Sequence, residues 1–379
     1  MNLTYPLEDI KVPTLLIDEQ KCRRNIRRMA EKARAENVVL RPHFKTHQSL
    51  EIGNWFREYG TDRITVSSLA MAAYFASAGW NDITVAFPLN VREMSLVNEL
   101  AAKVRLHVLC QHAEVVQLLD RELRAPVQGW IKIDVGTGRT GLLPGQADEI
   151  GDILRQMDQS RHIRAAGFLA HAGHTYSGGP EGRMAEIHEE TAGVLGKLVA
   201  HFSDRYPGLK VSAGDTPSYS RIGSFQGLDE IRPGNFVFYD LMQAGLGSCG
   251  LGDIAVAMAC PVVALHPDRK DVILYGGGIH FSKDFISSHK GGKNFGQLVH
   301  WNGAGWEAGT EVSWLKSLSQ EHGVLHCAPG DFGRLQIGGL AFILPVHSCM
   351  TANLMGCYRA LDGRIIDHFT RSRTRMELT

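Results

Sequence analysis

Lys45 ends the strand-like part of the stretch Val38-Val39-Leu40-Arg41-Pro42-His43-Phe44-Lys45-Thr46-His47. The apolar run Val38–Leu40 suits a strand buried on both faces, and Pro42 biases Arg41 to an extended backbone. Lys45 then stands at the C-terminal end of a strand, where chemistry sits in α/β proteins. A lysine there can form an imine with a carbonyl and act as a general base. Three other places carry polar groups at the ends of apolar runs. Ile131 to Gly141 leads from a buried strand into a glycine-rich turn, whose Arg139 offers a planar donor fork to an anionic oxygen. Leu169 to Tyr176 puts His171, His174 and Tyr176 in a turn, where they suit hydrogen bonding to a ligand. Ser212 to Ser218, with Thr216, and Arg232 to Asn235, with Gly234, offer backbone N–H groups and a hydroxyl to a phosphate.

One lysine, one phosphate cradle and one arginine converging on a single barrel mouth suit pyridoxal 5′-phosphate. A second pair lies further on, in Pro345-Val346-His347-Ser348-Cys349-Met350-Thr351. If this stretch is extended, His347 and Cys349 point the same way, because strand side chains alternate with period two. Imidazole and thiolate together suit zinc. A metal held by two side chains keeps positions open for substrate and water.

The elements that must position these groups are legible from periodicity. Val12–Asp18 reads as a short strand and Glu19–Glu36 as an amphipathic helix with a basic outer face. Eight strands are then predicted: Val38–Phe44, Ile64–Val66, Asp82–Phe87, Val104–Leu109, Val127–Asp134, Ile163–Leu169, Leu209–Ala213 and Glu230–Phe238. Helical segments such as Ser68–Ala78 and Gln146–Met157 separate most of them. This alternation predicts an α/β fold, a closed parallel (β/α)8 TIM-like barrel. A doubly wound open sheet is the alternative, but no GxGxxG follows the first strand. After about Asp240 the texture changes to short strands joined by Gly, Pro and Asp turns: Val256–Leu265, Asp271–Tyr275, Gly323–Leu325, Gly339–Leu344 and Gly363–His368. The expected division is a barrel over 19–244 and a C-terminal, mainly antiparallel β domain over 245–379, joined by residues 1–18.

Composition narrows the class of partner. Of 379 residues, 44% are hydrophobic and 21% charged, and 40 basic side chains balance 40 acidic ones. A net charge of zero points away from nucleic acid and anionic membranes. No apolar run is long enough to span a bilayer, and Met1–Lys11 does not read as a signal peptide. Seven scattered cysteines argue against a disulfide framework. A cytoplasmic protein with reduced thiols and a small-molecule substrate is expected.

Taken in order, Arg41-Pro42-His43-Phe44-Lys45-Thr46-His47, Ile64-Thr65-Val66-Ser67, His171-Ala172-Gly173, Gly214-Asp215-Thr216-Pro217 and His347-Ser348-Cys349 resemble the fold-type III pyridoxal-phosphate enzymes. The branch they look most like is the metal-dependent D-serine dehydratase and D-threonine aldolase family, and the resemblance covers nearly the whole chain. It implies an alanine-racemase-like barrel plus a β domain. By position, it makes Lys45 the Schiff-base lysine and Arg139 the arginine near the cofactor's phenolic oxygen. Tyr176 matches a cofactor-contacting tyrosine, and Thr216, Gly234 and Asn235 stand where the family binds phosphate. His347 and Cys349 match the metal pair, and the family's habit implies a homodimer. His-x-Cys favours the dehydratase over the aldolase, whose pattern tends to His-x-Asp. The chain departs from the pattern at Val346, where many relatives carry asparagine. The resemblance thus implies a lyase that dehydrates a D-3-hydroxy amino acid such as D-serine. Retro-aldol cleavage of the same substrate class, racemisation, and a non-catalytic cofactor carrier are the alternatives.

Overall fold

The computed structural model describes residues 7–177, 183–288 and 291–370, and the architecture is that of these residues. Residues 1–6, within the segment tested for a signal peptide, and residues 371–379, at the end of the expected β domain, lie outside them. The chain passes between two compact units at Ile26/Arg27, Lys45/Thr46, Trp55/Phe56 and Gly234/Asn235.

Strand β1 (Thr14–Ile17) and helix α1 (Glu19–Ala35) come first. The next strands are β2 (Val39–Leu40), β3 (Ile64–Val66), β4 (Asp82–Pro88), β5 (Arg105–Cys110), β6 (Val127–Lys132), β7 (Ile163–Leu169), β8 (Lys210–Ala213) and β9 (Glu230–Ile231). Between them lie α2 (Leu50–Arg57), α3 (Leu69–Ser77), α4 (Met94–Ala101), α5 (Ala113–Glu122), α6 (Ala147–Gln159), α7 (Arg183–Phe202) and α8 (Thr216–Arg221). Strands β2 to β9 form one eight-stranded parallel sheet in the order β2-β9-β8-β7-β6-β5-β4-β3. Its two ends meet: Phe44 N–H donates to Thr65 O at 2.8 Å, and Thr65 N–H to Pro42 O at 2.9 Å. The expected TIM-like arrangement is therefore present.

Local chemistry explains where elements start and stop. The first barrel strand is predicted to reach Phe44, but the strand ends at Leu40, with one bridge at His43 beyond it, although Arg41 and His43 N–H still donate to Ile231 O and Pro233 O at 2.9 and 2.8 Å. The return bonds are missing because Pro233 opposite has no N–H to give. The last is predicted to reach Phe238, but it ends at Ile231 because Pro233 interrupts the pairing, and Asn235–Val237 form a 3-10 turn. Ser68 caps α3 by accepting from Met71 N–H, and Asp215 caps α8 by accepting from Ser218 N–H. Helix α6 buries Ile150, Ile153, Leu154 and Met157, the stripe that a 3.6-residue period places on one face.

Phe44 is fully buried. Its ring lies 5.0 Å from Phe56, 5.0 Å from Phe75 and 5.1 Å from Trp80. This aromatic cluster fixes the backbone on the N-terminal side of Lys45. The interior also holds charge. Arg41 pairs with Asp82 and Glu230, Glu230 accepts from Ser212 Oγ at 2.8 Å, and Ser212 Oγ accepts from Arg232 Nε at 2.8 Å. Each of these buried charges thus has a partner, as the cost of desolvation demands.

The other unit is built on a ten-stranded sheet, the expected antiparallel domain. Its strands are β10 (Val256–His266), β11 (Asp271–Tyr275), β14 (Gly296–Trp301), β15 (Trp306–Ala308), β16 (Trp314–Leu318), β17 (His322–His326), β18 (Leu340–Pro345), β19 (Tyr358–Ala360) and β20 (Ile365–Ile366), together with β1. A small hairpin of β12 (Ile286–Ser287) and β13 (Lys293–Asn294) stands apart. Strand β1 lies between β10, antiparallel, and β19, parallel. Short helices α9 (Leu241–Gly245), α10 (Gly278–Phe281), α11 (Pro329–Phe332) and α12 (Ser348–Met355) punctuate it.

Candidate active site and metal pair

In the barrel unit, six of the predicted residues fall at strand ends or in the turns next to them. Lys45 is exposed in the turn 44–47, beyond β2. Arg139 is exposed in the turn after β6. Asp134 organises that turn: its Oδ1 accepts from Gly136, Thr137 and Gly138 N–H at 2.9–3.1 Å. Gly141 closes it at φ +114°, where an added Cβ would come 2.8 Å from Asp134 N. Thr137 ties the turn to the next one, donating to His171 O at 2.8 Å and accepting from Gly173 N–H at 2.9 Å.

His171 bonds Gly214 O through Nδ1, and its ring centroid lies 6.3 Å from that of Tyr176. The Tyr176 hydroxyl accepts from Thr216 N–H at 3.3 Å, and Thr216 Oγ1 accepts from Gly234 N–H at 3.2 Å. Gly214 packs so closely that a Cβ would sit 2.9 Å from that of Arg232. The turns carrying Arg139, His171, Tyr176, Thr216 and Gly234 are thus laced into one surface.

The electrostatics of this surface are cationic. Burial, and then the charges of Arg139, Lys45 and Arg232, hold His171 down at about 3 against its bond to Gly214 O. Burial, Lys45, Arg232 and His171 push His43 well below its usual range. Burial and Arg232 bring Lys132 down to about 7, with Asp134 opposing. Lys45, Arg139, Lys132 and Arg232 therefore feel one another or a common neighbour, and a dianionic phosphate with an adjacent phenolate is the kind of ligand that would relieve them. The residues present fit pyridoxal phosphate on this ground. Lys132 and Arg232 are absent from the residues that motif and spacing single out. The signal for them is nonetheless in the sequence, since each is a charged residue in or beside an apolar strand run: Ile131-Lys132-Ile133 and Ile231-Arg232.

The candidate metal pair lies in the β-sheet unit, and here the extended reading of Pro345–Thr351 is corrected. Strand β18 stops at Pro345, His347 is the N-cap of α12, and Cys349 is in the first turn of that helix. The cause is Asp240, whose Oδ2 accepts both Ser348 N–H at 3.0 Å and Ser348 Oγ at 3.1 Å and so turns the chain into the helix. The two side chains nevertheless interact. Burial alone would lower the His347 imidazole, but Cys349, Asp240 and Asp284 outweigh it and raise it to about 10. Burial alone would raise the Cys349 thiol, but His347 outweighs it and the thiol is lowered. A thiolate beside an imidazole is a donor set that fits zinc.

Cys349 Sγ has two further contacts. Thr46 Oγ1 lies 3.3 Å from it, and Asn235 Nδ2 donates to it at 3.4 Å. Asn235 Nδ2 also donates to Asp240 Oδ2 at 2.7 Å and Ser348 Oγ at 3.1 Å. The side chain of Asn235 is therefore engaged with the metal pair's surroundings. Asp284 Oδ2 meets His347 Nδ1 at 2.9 Å, leaving Nε2 as the nitrogen for a metal. Asp284 lies 63 residues away in sequence, and nothing local announces it. Among the described residues no cluster of three or more His, Cys, Asp or Glu forms a complete metal cage.

An eight-stranded parallel barrel followed by an antiparallel β domain, with a lysine beyond the first barrel strand, defines the alanine-racemase-like proteins. Residues 17–241 match the family model described as alanine racemase, N-terminal domain, and 255–361 the model described as putative serine dehydratase domain. The chain belongs to the D-serine dehydratase and D-threonine aldolase family of fold-type III pyridoxal-phosphate enzymes. It is 30% identical to D-threo-3-hydroxyaspartate dehydratase of Delftia sp., over 94% of this chain and 96% of that one. It is 29% identical to D-serine dehydratase of Dictyostelium discoideum, over 96% and 97%. The solved structure of the Delftia dehydratase superposes with a TM-score of 0.87 at 26% identity, covering 95% of this chain and 98% of the other. A variant of that enzyme has been solved in a metal-free form, also at TM-score 0.87.

Proposed function

We propose that this protein is a pyridoxal-phosphate- and zinc-dependent dehydratase of D-3-hydroxy amino acids, with D-serine as its substrate. The observation that carries this reading is the neighbourhood of Cys349. Thr46 and Asn235, which follow the candidate cofactor residues Lys45 and Gly234 in the chain, both contact its sulfur. Similarity to dehydratases runs over more than nine-tenths of the chain, whereas the curated aldolases align with 61–62% of it.

Lys45 would hold the cofactor and, freed when the amino group of the substrate takes its place, would take the Cα proton as general base. Arg139 would donate to the phenolic oxygen, and Tyr176, Thr216, Gly234 and Asn235 would line the phosphate end, with His171 bonding nearby. Pyridoxal phosphate, when bound, supplies the electron sink for the charge left at Cα. His347 and Cys349 would hold zinc, a Lewis acid that makes the β-hydroxyl a better leaving group. Loss of water yields an enamine, which hydrolyses to the keto acid and ammonia. Similarity to the D-serine dehydratase of Dictyostelium discoideum over 96% of this chain supports D-serine as the substrate. The protein acts in the cytoplasm as a homodimer, which sedimentation would check. No helix among the described residues is long and apolar enough to cross a membrane.

Product analysis with D-serine and D-threonine, with and without chelator, tests the reading. Keto acid and ammonia are expected, lost on chelation and restored by zinc; glycine and an aldehyde would make the protein an aldolase instead. Cys349→Ala should lose metal affinity by more than the roughly 10–100-fold that removal of an outer partner brings. It should still take up the cofactor. Full metal content and full dehydration in that variant would remove the metal from the mechanism.

A further inference from the structure

The residues that come after Lys45 are gripped one after another by the C-terminal part of the chain. Thr46 contacts the sulfur of Cys349. The Tyr358 hydroxyl donates to His47 O at 2.6 Å. Gln48 Nε2 donates to Asn353 Oδ1 at 3.2 Å, and Gln48 O accepts from Phe369 N–H at 2.6 Å. Ser49 Oγ donates to Asp367 Oδ1 at 2.9 Å. Leu50 and Glu51 N–H donate to the same carboxylate at 2.8 and 3.1 Å. Thr46, His47, Gln48 and Ser49 are all buried.

Two features separate this grip from ordinary helix capping. Helix α2 already has a local cap, because Ser49 Oγ accepts from Ile52 N–H at 3.1 Å. The Asp367 carboxylate, 317 positions beyond Leu50, is not needed to start it; it adds a tie between the C-terminal strap and the segment. Gln48, moreover, is held at φ +47°, a left-handed conformation that costs a non-glycine residue on the order of 1 kcal/mol or more and persists only where surrounding contacts impose it.

We propose that the strap Asp367-His368-Phe369 is a positioning element for Lys45, with Asp367 as its principal positioning residue. The inference rests on the reading of Lys45 as the cofactor lysine. Phe44, in its aromatic cluster, precedes Lys45; Cys349 and Tyr358 hold Thr46 and His47 after it, and the strap holds Gln48 to Glu51. Slack on the second side would let the ε-amino group wander from the geometry in which it bonds the cofactor.

The test uses the full chain stripped of cofactor and titrated with pyridoxal phosphate, following the absorption band of the lysine-bound cofactor and its pH midpoint. Borohydride reduction and peptide mapping locate the lysine. Asp367→Ala should bind the cofactor roughly fivefold more weakly, the scale of one lost hydrogen bond, and shift the pH midpoint of the band. Asp367→Asn, which keeps a neutral acceptor, should recover part of both. Glu311→Ala, which removes an exposed carboxylate that accepts from Gly330 N–H in the β-sheet unit, should change neither. Unchanged affinity and midpoint in Asp367→Ala, with the adduct on Lys45, overturns the strap and leaves the lysine standing. An adduct on another lysine overturns both.

Discussion

Arg139 stands at the tip of a turn that Asp134 holds together through three backbone N–H groups, so its own side chain is not needed to keep the turn. It is exposed, and no core packing depends on it. Arg139→Lys keeps the charge and loses the planar fork. We expect this variant to melt with the wild type, to show a displaced cofactor absorption band and to turn over substrate more slowly, by about tenfold if one charge-assisted bond of roughly 1.5 kcal/mol is lost. Absorption spectra and steady-state rates check it; an unchanged band and rate would reduce Arg139 to a turn residue. The residue scale is also where charge identity counts most. Cys349 and His347 stabilise each other's charged forms against burial, and Asp284 selects which imidazole nitrogen is left for a metal.

At the scale of elements, the first barrel strand and the turn after it decide where Lys45 stands. His43 N–H makes the last bond to the strand opposite, at Pro233 O, and Phe44 then plugs its ring among Phe56, Phe75 and Trp80. Phe44→Ala should cost about 3–5 kcal/mol, the range for removing a buried aromatic ring. It should also weaken cofactor uptake beyond what the stability loss accounts for, since it frees the backbone next to Lys45. Phe44→Leu, which keeps most of the volume, should retain uptake. Denaturant unfolding and cofactor titration of both variants measure the two effects separately. Elements are legible in the sequence where burial and period agree: β3 and β7 have their predicted limits, and the 3.6-residue stripe of α6 is buried. They are not legible where one distant side chain overrules local pattern. Val346-His347-Ser348 has nothing against an extended form until Asp240 takes both polar groups of Ser348.

At the scale of the molecule, the barrel buries cationic charge, and stability should report it. Lys132 is buried in β6, with its ammonium donating to Ile133 O at 2.7 Å, and burial together with Arg232 lowers it to about 7 from the ordinary 10.5. The unfolded chain therefore binds a proton between pH 7 and 10.5 that the folded chain does not. By linkage, stability rises as pH rises through that window, and the full penalty is felt below about pH 7. His347, raised to about 10, acts in the opposite sense over the same window, so the effect of Lys132 shows as a difference between two proteins: the gain in urea midpoint of cofactor-free Lys132→Met over the unaltered protein should be largest near pH 7 and shrink towards pH 10. A gap that does not change with pH would show that Lys132 keeps its charge at little cost. Saturating pyridoxal phosphate, whose negative charge offsets the cationic set, should raise stability most at the low end of the window.

Sequence alone displayed the scaffold of this protein and its candidate residues. The eight parallel strands and the antiparallel domain after them follow from patterns among neighbouring residues, and Lys45, Arg139, Tyr176, Thr216, His347 and Cys349 stand out as candidates through residue type, place and resemblance. Burial on both faces, turn residues and period act over a few positions, and a sequence displays them directly. Tertiary structure alone decided how these groups are held. It made a helix N-terminus out of an apparent strand at His347, brought Asp284 to that imidazole and Thr46 and Asn235 to the Cys349 sulfur, and closed the strap of Asp367 over the segment after Lys45. Those pairings join residues from 63 to more than 300 positions apart. Local pattern cannot specify them, because their energy exists only once packing has removed water from around the partners.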